Sequence, residues 1–129
     1  MDSIPAALRQ GIDEFNQAYF FEAHETLEDL WRGTTGPLRL FYQGLIQLAV
    51  GLYHLSNGNR RGALNLLSKG LEKLTAYQPV CQNVDVEALC AEARSWLDRV
   101  RQSGVEELRV TPEELPRIRW VAPEQDSTR

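Results

Sequence analysis

The stretch from Leu38 to Leu55 constrains this chain more than any other. Wound at about 100° per residue, it is apolar around most of its circumference. Arg39, Gln43, Gln47 and His54 interrupt it. It is too long for a strand and too polar for a membrane span. Such a helix has to be covered on several sides, so the spacing predicts a central helix with others packed around it.

The remaining apolar residues recur at helical spacing, and no run alternates at period two. The pattern predicts five helices, over about Pro5–Asn16, Phe21–Arg32, Pro37–Ser56, Arg60–Ala76 and Asp85–Ser103. Breaks fall at Gly33-Thr34-Thr35-Gly36, Asn57-Gly58-Asn59 and Gln78-Pro79-Val80. The expected fold is all-α, a compact antiparallel bundle of about five helices with an irregular C-terminal tail. Residues 1–104 form the helical domain. Residues 105–129 form a tail that packs on it, pinned by Ile118 and Trp120, with its last residues frayed.

Composition narrows the function classes. A chain of 129 residues suits one core, and its 43% hydrophobic content is ordinary for a globular protein. The net charge is −4, with Lys and Arg scattered, which argues against a nucleic-acid surface. No basic, then apolar, leader opens the sequence, and no stretch suits a membrane. Cys81 and Cys90 fit no metal spacing and read as free thiols in a reducing cytoplasm.

Polar chemistry gathers on the second and third helices. On the second, Phe20, Ala23, Leu27, Leu30 and Trp31 share one face, and His24 falls at its border. Glu28 lies one turn from His24, and Glu25 three residues before Glu28, so both pairs can meet. On the third, Gln43, Gln47, Val50 and His54 form a stripe opposite Phe41, Leu45, Leu48 and Leu52. The short link makes these helices antiparallel neighbours, so the two polar stripes should share a buried site. Gly44 and Gly51 leave gaps that either admit a helix backbone or open a cleft, with Trp31 or Phe21 as its wall.

Two motif blocks stand out. One is Phe15-Asn16 with Phe20-Phe-Glu-Ala-His-Glu-x-x-Glu28-x-x-Trp31. The other is Phe41-x-Gln43-Gly-Leu-Ile-Gln47 through His54, then Gly58-Asn59 and Gly62-Ala63. Over about residues 12 to 76 they resemble the DUF309 family of small bacterial and archaeal proteins. The resemblance implies an all-helical domain and supplies no reaction. The family's characteristic polar residues correspond to Glu22, His24, Glu25, Glu28, Gln43, Gln47 and His54.

Two functional readings remain open at this level. The first is a site of small-ligand or metal-assisted hydrolase type. It assigns catalysis to Glu25 and Glu28, ligand binding to Glu22, Gln43, Gln47 and Trp31, and a divalent metal to His24, Glu28 and His54. The motif is not H-E-x-x-H, since Glu28 stands where the second histidine belongs. The second is a helical-hairpin scaffold of tetratricopeptide type, with a purely structural polar network and a protein partner or second copy as its ligand.

Overall fold

The structure, a computed structural model, describes residues 4–102 and 110–121. It is the expected antiparallel helical bundle. Its helices are α1 (Ala6–Asn16), α2 (Phe20–Arg32), α3 (Leu38–Ser56), α4 (Arg60–Thr75) and α5 (Val86–Gln102). Each helix packs mainly on the next in sequence, as short connections dictate. No helix among the described residues is long and apolar enough to cross a membrane.

α3 is central, as its all-round apolarity requires. Phe41, Tyr42, Leu45, Leu48, Ala49, Leu52 and Leu55 are all buried on it. Leu8, Ile12 and Phe15 close one side of the core, and Leu67, Leu74, Leu89 and Trp96 the other. The gaps at Gly44 and Gly51 are filled by α4. A Cβ on Gly44 would meet Leu74 at 2.9 Å, and one on Gly51 would meet Leu67 at the same distance. At Gly70 the approach involves main chain, since a Cβ would stand 2.9 Å from the Gly44 carbonyl oxygen and 3.0 Å from the Leu48 nitrogen. Here backbone meets backbone, and no side chain can move aside.

One feature was not in the expected architecture. Val80–Cys81 and Val84–Asp85 form a two-residue antiparallel ribbon, β1 and β2. Gln82 and Asn83 turn it with φ of 51° and 62°, the left-handed pair that suits a tight hairpin. The ribbon is too short for a period-two signal. It also receives the tail: Val84 bridges to Trp120, and the Asp85 amide donates to the Arg119 carbonyl at 2.8 Å. Leu115, Pro116 and Ile118 are buried, and the Trp96 indole donates to the Glu114 carbonyl at 2.9 Å. The Asn16 side chain pairs with Ile118 as a strand would, accepting from its amide at 2.8 Å and donating to its carbonyl at 2.9 Å. The anticipated frayed end, Pro123–Arg129, and the start of the tail, 105–109, lie outside the described residues.

Two outcomes follow from this packing. Gly70→Ala is expected to lower stability by about 1–3 kcal/mol through overpacking, although alanine is intrinsically the better helix former by roughly 1 kcal/mol. Gly33→Ala, whose Cβ would meet nothing nearer than 4.0 Å, is its control. Urea denaturation of both variants checks this. The second outcome concerns alkaline pH. Burial pushes the Tyr42 phenol up, with Cys81 adding to it. Burial likewise pushes up the Cys81 and Cys90 thiols, while Arg94 and a Thr75 hydrogen bond oppose it at Cys90. Acids with raised folded-state pKa hold their protons longer in the folded chain. Stability is therefore full below the ordinary values of 9.0 and 10.0 and falls as pH rises through and above them. Urea midpoints measured from neutral to strongly alkaline pH should decline over that window, and less steeply in Cys81→Ser.

Candidate functional site

His24 and His54 line one notch between α2 and α3, at the end of the helix pair rather than inside it. The notch has a volume of about 160 Å³ and is completed by Phe20, Phe21, Val50 and Tyr53. Each helix contributes three residues within little more than one turn: Phe20, Phe21 and His24 on one, Val50, Tyr53 and His54 on the other. The rings adjoin one another. Phe21 lies 5.9 Å from His24 and 5.7 Å from Tyr53, and Tyr53 lies 6.2 Å from His54, centroid to centroid.

His54 is locked by the turn into α4. Asn59 is the N-cap of α4, and its side-chain oxygen accepts from the Gly62 amide at 2.9 Å. Its NH2 group is thereby aimed at His54 Nδ1, 3.3 Å away. Nδ1 has to accept, so the neutral imidazole carries its proton on Nε2. Gly62 makes room for the ring, since a Cβ there would stand 2.7 Å from His54 Cγ and Cδ2. The Gly58-Asn59-x-x-Gly62 motif therefore holds a histidine in place. Its arginine is also engaged: Arg60 donates to the Val100 and Arg101 carbonyls at 3.1 Å each, capping the end of α5.

The polar cluster differs from expectation in depth and composition. No polar or charged residue among the described residues is buried; His24, Glu28, Gln43, Gln47 and His54 are half-buried, and Glu22 and Glu25 exposed. The helical stripes were read correctly around the axis, but their position along it places the histidines at an open mouth. The metal set is not assembled either. His24 Nε2 reaches Glu28 at 3.7 Å, yet Glu28 also accepts from Arg32 at 3.3 Å, and His54 Nδ1 is turned to Asn59. Among the described residues no three His, Cys, Asp or Glu side chains stand close enough to hold a cation. Trp31 does not wall the notch. The Arg39 guanidinium covers its ring at 4.0 Å while donating to the Trp31 and Thr34 carbonyls, and its indole nitrogen is buried without a hydrogen-bond partner. Gln47 Oε1 is buried in the same unpaired state.

Sequence reasoning missed Tyr53 and Asn59. The signal for Tyr53 was its place between Val50 and His54 at helical spacing. That for Asn59 was a cap residue three positions before a glycine.

An open hollow of about 320 Å³ adjoins the notch and shares Phe20, Phe21 and Tyr53 with it. Ala18, Tyr19, Glu22, Ser56 and Asn57 complete its lining.

Residues 8–66 match the model of the family described as Domain of unknown function (DUF309). Two relatives extend the likeness. The uncharacterized protein YpuF of Bacillus subtilis (strain 168) is 33% identical over 69 residues, covering 53% of this chain and 40% of that protein. An uncharacterized protein of Aquifex aeolicus (strain VF5) is 25% identical over 107 residues, covering 82% of this chain and 30% of its own length. The chain thus spans less than half the length of either relative.

The His54 lock has a spectroscopic consequence. In the unaltered protein, nitrogen-15 correlation spectra at neutral pH should show the His54 proton on Nε2. Asn59→Asp keeps the cap acceptor but replaces the amide donor with a second acceptor, so the proton should move to Nδ1. Asn59→Ala should cost about 1–2 kcal/mol through loss of the cap. An unmoved tautomer in Asn59→Asp would show that the contact does not orient the ring.

Proposed function

We propose that this domain is a binding module whose α2–α3 notch receives one ring-sized or side-chain-sized group of a partner. The observation that carries the reading is that both histidines, thirty residues apart in sequence, line one small ring-walled cavity. Its volume of about 160 Å³ falls below the roughly 300–1,000 Å³ of pockets that enclose whole small molecules. A single inserted group suits it better than an engulfed substrate. His54 would supply a hydrogen-bond donor through Nε2. Phe21 and Tyr53, 47% and 39% exposed, offer the apolar contact. The adjoining hollow leaves space for what the inserted group is attached to. The unpaired thiols of Cys81 and Cys90 support a cytoplasmic setting for such a module.

The reading is tested with a panel of small aromatic and amphipathic fragments, including phenol, indole and benzylamine, followed by NMR of the labelled protein. Signals of Phe21, His24, Tyr53 and His54 should shift together. Val50→Trp, which fills the notch from its α3 wall, should abolish those shifts while leaving the helical spectrum intact. Shifts that cluster instead at the larger, open hollow lined by Arg9, Asp13, Asn16 and Trp120 would overturn it.

A further inference from the structure

The notch is unusual in what walls it. Five of its six lining residues, Phe20, Phe21, His24, Tyr53 and His54, carry rings. Successive rings are tilted by 46° to 54°, so they curve around a space rather than stack flat. Ring faces are the negative pole of the aromatic quadrupole, and they attract cations.

The surrounding charge has the same sign. Glu22 lines the adjoining hollow, and no lysine or arginine lines either cavity. α2 carries Glu22, Glu25, Glu28 and Asp29 against Arg32 alone. Arg32 pairs with Glu28 and Asp29, so among the described residues Glu22 and Glu25 have no ion-pair partner. Two other rings of the protein carry one of its own cations. Arg39 lies 4.0 Å over the Trp31 ring and Arg99 lies 3.9 Å over Trp96. Among the described residues, Phe21 and Tyr53 have no such cover.

We propose that the occupant of the notch is the cationic side chain, lysine or arginine, of a partner polypeptide, held between the ring faces with Glu22 at the rim. The proposal rests on the notch being the binding site, as argued above. It adds the charge of the group and the nature of the partner. A polypeptide fits because the notch holds one side chain and the shared hollow continues past Phe21 and Tyr53 toward Glu22 and Asn57. The neighbouring residues of an extended segment would lie there.

The test compares three probes by NMR titration of the whole chain at slightly alkaline pH. They are a blocked pentapeptide with a central lysine, the same peptide with norleucine in its place, and free butylammonium. Norleucine keeps the apolar stem and removes the charge. The lysine peptide should shift the ring signals of Phe21, His24, Tyr53 and His54 and bind at least about tenfold more tightly than its norleucine counterpart. Glu22→Gln should weaken the lysine peptide several-fold and leave the norleucine peptide unchanged. Tyr53→Leu, which keeps apolar volume without a ring, should weaken only the lysine peptide. Equal binding of both peptides would overturn the cation proposal while leaving the notch as an apolar site. Butylammonium binding as tightly as the lysine peptide would overturn the polypeptide partner. Failure of every probe to move the notch signals would overturn both this proposal and the site on which it rests.

Discussion

The contact on which the rest of the structure depends is the approach of α3 and α4 through glycine. At Gly44 and Gly70 the two backbones come so near that a single methyl group on Gly70 would collide with main-chain atoms. Close approach fixes which way α3 faces. Once Gly44 and Gly51 are turned to α4, Val50 and His54 on the adjoining stripe are brought beside α2. The notch thus lies along the edge of the sealed seam. The two helices gain dispersion contact along their length in exchange for the helix propensity lost at the glycines.

Helix ends are handled by long polar side chains borrowed from a neighbouring helix. Arg39, at the start of α3, donates to carbonyls at the end of α2, and Arg60, at the start of α4, donates to those at the end of α5. Each places a positive charge where a helix presents unpaired oxygens and the negative end of its dipole, a placement worth about 0.3–1 kcal/mol. Asn59 does the complementary work for amides, and in the same geometry aligns His54. The residues that finish the helices are therefore the ones that shape the site. Arg39 also explains why Trp31 is unavailable as a binding wall, because the capping arginine lies across its face.

Much of this was legible in the sequence. Helical periodicity is a property of single segments, so the five helices, the inward faces and the central place of α3 could be read from spacing alone. The pairing of His24 with Glu28 followed from one turn of helix, and the side-by-side placing of the helices that carry His24 and His54 from a short loop. What could not be read was depth. Angular position tells which face a histidine occupies but not how near it lies to an open end of the bundle, and that distance decides between a buried network and a half-open notch. Competition for partners was equally hidden. Glu28 is drawn to Arg32 and His54 to Asn59, so a plausible ligand set disperses into local pairs. The ribbon around Gln82 and Asn83 escaped notice because its strands are too short to carry a pattern.

The fastening of Asn16 to Ile118 bears on how a family boundary should be understood. Family resemblance runs over residues 8–66 and so ends partway along α4, before Leu67, Gly70 and Leu74, the residues that fill or press upon the glycine seam. It also excludes Ile118, which uses both polar atoms of the Asn16 side chain. The stretch that the family model matches is therefore smaller than the stretch whose packing closes the bundle. A signature of under half the chain marks the fold, and the contacts that hold the fold shut reach well past it.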